Sequence, residues 1–203
     1  MEGKIIEIMS LLLHPRRFWH LKSLWYDLYV ANKNGNKVYI ADSADCFAVH
    51  IQCIGKGNRV ILRKGCFHGV DILCHGNNGT IEIEEGVVIN AFPNRRTTLS
   101  VIGETALTIG TNCLISDSVT MQTSDYHKVY DTKSGILQNP DANICIGHNC
   151  WIGNRVTINK GVVISPHCVV GNCSVLTKVF DESNVVIAGN PAQIKKRNIR
   201  WSY

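Results

Sequence analysis

Residues 146–176, IGHNCWIGNRVTINKGVVISPHCVVGNCSVL, place an apolar residue at every sixth position: Ile146, Ile152, Ile158, Ile164, Val170 and Leu176. Neither the helical period of 3.6 nor the strand period of 2 produces that ladder. Working outward, the same spacing links Ile109, Ile115 and Met121, then Ile83 and Ile89, then Ile54, Val60, Cys66 and Ile72. Glycine follows several anchors, at Gly55, Gly110, Gly147, Gly153 and Gly171, which suits a corner needing unusual backbone angles. The residues four after the anchors are small or β-branched (Cys113, Val119, Cys150, Val156, Val162, Cys168 and Ser174), fitting a remaining interior slot. Three hexads make a coil of about eighteen residues with three short flat faces, and stacked coils form a solenoid with interior columns of anchors.

The 203 residues are 45% hydrophobic, 18% charged and 7% aromatic. That excludes disordered and collagen-like chains and allows one well-buried core. Near the start, Ile5, Ile6, Ile8, Met9, Leu11, Leu12 and Leu13 are interrupted by Glu7 and Ser10, short of the ~20 apolar residues that span a bilayer. Glu2 and Glu7 stand where a secretory leader would be basic, and no small-x-small cleavage site follows, so a cytoplasmic chain is expected. Nine cysteines in a chain neither short nor secreted read as reduced thiols. A net charge of +5 without a basic run interleaved with aromatics argues against nucleic acid and suits an anionic small ligand or acidic polymer.

Residues 1–36 read as a helical cap, because Leu21, Leu24, Trp25, Leu28 and Tyr29 have helical spacing and the turn at 32–36 contains Gly35. His14, Pro15, Arg16, Arg17, Phe18 and Trp19, with Trp25, Tyr26 and Tyr29, mix basic and aromatic residues. Such a segment suits a membrane surface or an anionic glycan, or simply a helix that closes the first coil. Residues 37–189 read as the solenoid and 190–203 as a basic tail.

Ile146 follows Met121 by 25 positions instead of six, so residues 123–143 leave the solenoid as an excursion. Long excursions from a rigid scaffold commonly carry function. This one holds Ser124, Asp125, Tyr126, His127, Lys128, Tyr130, Asp131, Gly135, Asn139 and Pro140. Imidazole is the side chain whose ordinary pKa suits a general base near neutral pH, so His127 is the candidate base. Asp125 is placed either to orient it or to form a turn, and Tyr126 and Lys128 are candidates for acceptor contact.

These features together resemble the hexapeptide-repeat acyltransferases, over roughly Val38 to the C-terminus. The loop from Ser124 to His127, the stretch Asn149-Cys150-Trp151-Ile152-Gly153 and the ending Ala188-Gly189-Asn190-Pro191-Ala192 look most like the bacterial capsule and O-antigen O-acetyltransferases, above all those acting on polysialic acid. The resemblance implies a left-handed parallel β-helix, a homotrimer with active sites between subunits, acetyl-CoA as donor without a metal, and a glycan acceptor. It implies that Trp151, 24 positions after His127, shares the active site, with its indole and amides near Gly153 steadying the developing oxyanion. It also assigns the donor to Gly153, Thr177, Lys178, Asn190, Pro191, Ala192, Lys195 and Lys196, lysines answering phosphates.

Other readings remain open. Trp151 could pack on a neighbouring coil, and the tail could be a solvated surface. Cys113, Cys150 and Cys168 fit interior packing better than covalent catalysis. Zinc on Cys145, Cys150, Cys168, Cys173, His148 and His167 lacks a Cys-x-x-Cys knuckle, which also argues against a γ-type carbonic anhydrase. A non-catalytic scaffold and a small-molecule acetyltransferase share the same ladder.

Overall fold

The computed structural model describes residues 15–202, with side chains from Ser23 onward. The apolar segment at 5–13, the leader reading built on Glu2 and Glu7, and the side chains of residues 14–19 lie outside the described residues. Among the described residues no helix is long and apolar enough to cross a membrane.

The chain winds into a parallel β-solenoid with three faces. The first face stacks Lys37–Ile40, Arg59–Leu62, Thr80–Ile83, Ala106–Ile109, Ile144–Ile146 and Val163–Ile164. The second stacks Asp45–Phe47, Gly65–His68, Val87–Asn90, Leu114–Ile115, Trp151–Ile152, Val169–Val170 and Val186–Gly189, then ends on Ala192–Lys196. The third stacks His50–Ile54, Val70–His75, Thr97–Ile102, Thr120–Gln122, Thr157–Ile158 and Val175–Leu176. Their register produces three interior columns. Leu62, Ile83, Ile109, Ile146, Ile164 and Phe180 line the first. Phe67, Ile89, Ile115, Ile152, Val170 and Ile187 line the second, and Ile51, Ile72, Leu99, Met121, Ile158 and Leu176 the third. None of these eighteen side chains is more than 2% exposed. At about 1.5–3 kcal/mol for each such side chain removed from water, the columns are the main source of stability, and each coil draws it from its immediate neighbours.

Two sequence expectations fail in the early coils. Ile54 is 55% exposed and Cys66 only half-buried, while the column positions there are Ile51, Leu62, Phe67 and Ile72. Strands of four to six residues in this half alternate inward and outward, and corner lengths vary, so the column spacing departs from six. The glycines also act differently from the expectation at most corners. Gly147 and Gly153 lack positive φ; a Cβ on Gly147 would lie 2.6 Å from the Pro166 backbone nitrogen, and one on Gly153 would lie 2.4 Å from Asn172 Oδ1. They are there because coils approach closely. The left-handed angles fall on Asn112, Asn149, Arg155, His167 and Cys173 instead.

Helix α1, Pro15–Lys33, starts on a proline whose missing N–H costs nothing at a helix start and ends on a lysine that complements the helix dipole. Leu24 and Ala31 are buried, and Leu28 packs against the core. Asp27 Oδ2 accepts the Ile51 N–H at 3.0 Å and meets His50 Nδ1, tying α1 to the first coil. Buried Asn36 then continues the connection, its Oδ1 accepting both the backbone and side-chain N–H of Asn58.

Candidate active site

Residues 123–143 leave the solenoid between its third and first faces. Their base is closed by Thr123, whose Oγ1 lies 2.6 Å from Thr105 Oγ1, and by the Ala142 N–H donating to Thr123 O. Tyr126 is held at φ +62, a costly conformation for a bulky residue. Its N–H donates to Ser124 Oγ, its hydroxyl bonds Ser100 Oγ at 2.7 Å, and its ring stands edge-on to His75. That strained turn presents the next residue, His127.

Asn139 clamps the turn from the returning strand of the loop. Its Nδ2 donates to His127 O at 2.8 Å and to Asp125 Oδ2 at 2.9 Å, and its Oδ1 accepts the Val129 N–H. Lys160, from the corner one coil on, donates to Asp125 Oδ2 and to Asn139 O. The Lys160 hydrogen bond, with that of Asn139, holds the Asp125 carboxyl below its ordinary range. No hydrogen bond joins Asp125 to the imidazole among the described residues; its Oδ2 is taken by Lys160 and Asn139. Lys128 pairs with Asp141 at 2.8 Å and serves the same loop. The His127 side chain is exposed and has no hydrogen-bond partner among the described residues. The backbone on both sides of it is fixed while the ring stays available.

Trp151 lies on the second face, 39% exposed, its ring 6.1 Å from that of Trp201. No hydrogen bond or ring contact within the chain joins it to His127, and the two leave the solenoid from different faces. The expectation of amide donors near Gly153 fails: Trp151 N–H donates to Cys168 O and Gly153 N–H to Val170 O, both spent on the coil ladder. The Trp151 indole N–H has no partner among the described residues.

The expected donor residues other than Gly153 gather at the last coil; Gly153 lies two coils earlier, with its N–H on Val170 O. Thr177 and Lys178 are exposed, and Lys178 Nζ donates to Gln193 Oε1 at 2.9 Å. Gly189 N–H donates to Ser174 Oγ where the chain turns through Asn190, Pro191 and Ala192, and Lys195 Nζ lies beside Gly189. Lys195 and Lys196 are exposed. The segment expected as a basic tail, in donor contact or solvated, is a strand with exposed lysines: Ala192–Lys196 pairs antiparallel with Val186–Gly189. The chain beyond runs back as a strap, with Ile199 N–H on Asn184 O and Trp201 Nε1–H on Asn149 O at 2.8 Å.

Cys150 and Cys168 of the inner slot behave as packing groups. Burial pushes the Cys168 thiol up, and a hydrogen bond with Cys113 and burial push Cys150 up, leaving little thiolate. The zinc set considered from the sequence does not come together among the described residues. Asp45, Cys66 and His68 do, with ligand atoms within 4.8 Å of one another; they are 21 and two positions apart, a spacing that only the coil period brings together.

Comparison with known proteins places this arrangement in context. A family model described as bacterial transferase hexapeptide (six repeats) matches residues 146–178. The polysialic acid O-acetyltransferase of Neisseria meningitidis is 30% identical over 191 residues, covering 86% of this chain and 89% of that one. The chain belongs to the hexapeptide-repeat acyltransferases. The polysialic acid O-acetyltransferase of Escherichia coli O1:K1 is 34% identical over 113 residues, 53% of this chain but only 36% of that protein's length. The crystal structure of the polySia-specific acetyltransferase NeuO superposes with a TM-score of 0.64 at 27% identity, covering 83% of this chain and 78% of that one. With this family's backbone the solenoid is a left-handed parallel β-helix. Lys160, Asn139 and Trp201 had no role from the sequence, although the coil period puts Lys160 at the corner next to the excursion.

Proposed function

We propose that this protein transfers acetyl groups from acetyl-CoA to hydroxyls of a bacterial surface polysaccharide, with His127 as general base. One observation carries the reading: an otherwise regular solenoid, 30% identical to a polysialic acid O-acetyltransferase over 86% of its length, departs from its period to hold a strained turn that presents an unpartnered imidazole. His127 takes the proton of the sugar hydroxyl as that oxygen attacks the acetyl carbonyl. The proton passes to the departing sulfur as the carbon–sulfur bond breaks, so transfer is direct. Trp151 Nε1–H is the donor for the negative charge that develops on the carbonyl oxygen. Lys178, Lys195 and Lys196 supply the cations that the phosphates of the donor require, beside the small residues Gly189 and Ala192.

His127 and Trp151 leave the solenoid from different faces, so a second copy completes each site, in a homotrimer with a site at every subunit boundary. The reaction belongs in the cytoplasm, where acetyl-CoA is available.

The test is acetyl transfer from labelled acetyl-CoA to a panel of de-O-acetylated acidic capsules, O-antigens and small acceptors, with wild type and His127→Ala side by side. Transfer to a glycan that falls about 10²–10⁴-fold in the variant, with sedimentation and circular dichroism unchanged, is the expected result. Equal transfer by both proteins refutes the base. Transfer to small acceptors alone refutes the polysaccharide.

A further inference from the structure

The corner between the first and second faces carries a column of left-handed residues, one per coil: Asn112 at φ +56, Asn149 at +52, His167 at +63 and Asn184 at +61. Asparagine and histidine tolerate this conformation better than other side chains, so the coil geometry itself sets short polar groups in a row. The C-terminal strap crosses that row. Between strap and corner lies a groove of about 600 Å³, lined by these four residues with Arg200 and Trp201.

Three features give the groove its chemistry. None of the residues lining it is acidic, and the Arg200 guanidinium has no ion-pair partner among the described residues. The side-chain amides of Asn112 and Asn149 have no hydrogen-bond partner among the described residues, and His167 stands edge-on to His148 at 4.9 Å. Trp201, fixed through its bond to Asn149 O, sits beside Trp151, so the groove opens next to the proposed site of acetyl transfer. The groove on the other side of Trp151 differs, because there Arg95 faces Asp117 at 3.8 Å and the charges offset each other.

We propose that the groove under the strap is an acceptor subsite for a carboxylate-bearing sugar. Arg200 forks onto the carboxylate, the Asn112 and Asn149 amides take hydroxyls, and Trp201 offers its ring to the apolar face of the sugar. This rests on the reading of the chain as a glycan acetyltransferase and adds to it where on the fold an acidic acceptor is held and which residues select it. The other anion at hand is a phosphate of coenzyme A; the aromatic pair and the amide row favour the sugar.

The experiment measures binding without turnover, by tryptophan fluorescence and calorimetry on the full chain, for wild type, Arg200→Gln and Trp201→Phe. The probes are a short oligosialic acid, the same oligomer with its carboxylates reduced, and coenzyme A. Arg200→Gln is expected to weaken oligosialic acid about tenfold or more, the loss of one charge-assisted contact, with the coenzyme A Kd unchanged. The reduced oligomer is expected to bind wild type as poorly as oligosialic acid binds the variant. An unchanged Kd in Arg200→Gln, a loss confined to coenzyme A, equal binding of the reduced oligomer, or no binding of either oligomer overturns the subsite. Acetyl transfer that depends on His127 with a glycan Kd indifferent to Arg200 removes the subsite alone, whereas Arg200-dependent binding without transfer removes the enzymatic reading alone.

Discussion

Replacing Lys160 with methionine tests whether the excursion is clamped from outside. The lysine side chain is 17% exposed and its ammonium makes two bonds, to Asp125 Oδ2 and to Asn139 O. A charge-assisted bond between buried partners contributes about 1.5–3 kcal/mol, but the Asp125 side chain is 44% exposed, so solvent screening reduces that bond to about 0.5–1 kcal/mol. The bond to the carbonyl adds about 1 kcal/mol. Methionine keeps the aliphatic stem and removes both, making the loop easier to open by about 2 kcal/mol, or roughly thirtyfold. The assay is amide hydrogen exchange. The Val129 N–H on Asn139 Oδ1 and the Ala142 N–H on Thr123 O should exchange roughly thirtyfold faster, while the Gly153 and Thr157 N–H groups of the coil ladder keep their rates. If loop and ladder amides are equally protected in variant and wild type, Lys160 does not hold the loop and the account of how His127 is presented is wrong.

Two further outcomes follow from the same geometry. Gly147→Ala forces a methyl to 2.6 Å from the Pro166 nitrogen and 2.9 Å from the Ser165 carbonyl carbon; at about 1–3 kcal/mol for such overpacking, thermal unfolding should move down by about 2–10 °C, and an unchanged Tm would show that the coils are not in close approach there. The folded-state Asp125 carboxyl titrates below its ordinary 3.8 because Lys160 and Asn139 bond its charged form, so its stabilising effect is present above that pH and lost as pH falls through the lower folded value. The Asn139 side-chain amide resonances should titrate with a midpoint below 3.8 that rises in Lys160→Met, and a wild-type midpoint at or above 3.8 contradicts the clamp.

The period of six was legible wherever coils are built from two-residue strands, and every anchor from Ile146 to Leu176 is in an interior column. It misled where strands lengthen: Ile54 and Cys66 lie on the period by coincidence, while Phe67 and Leu99, five and ten positions from the preceding column residues, break it and are buried. A one-dimensional spacing cannot see a corner that gains or loses residues. The excursion was legible as an interruption, and His127 as its imidazole. What holds it was not, because Lys160 is 35 positions from Asp125 and only the stacking of coils makes them neighbours. The tail was legible as exposed, since Gln193, Lys195, Lys196, Arg197 and Arg200 all face solvent; its order was not, because Ala192 and Ile194 pair it to the last parallel strand and Trp201 returns it to the side of the solenoid.

The antiparallel strand Ala192–Lys196 changes how the second face terminates. A parallel solenoid presents the same edge at its last coil as at every earlier one, and such an edge is a template on which another chain could continue the stack. Here the second face closes on a strand running the opposite way, tipped with exposed Lys195 and Lys196. An incoming coil would meet reversed polarity and like charge where it needs a matching ladder. The second face is thereby closed to a continuing parallel coil, while α1 packs on the first coil at the other end.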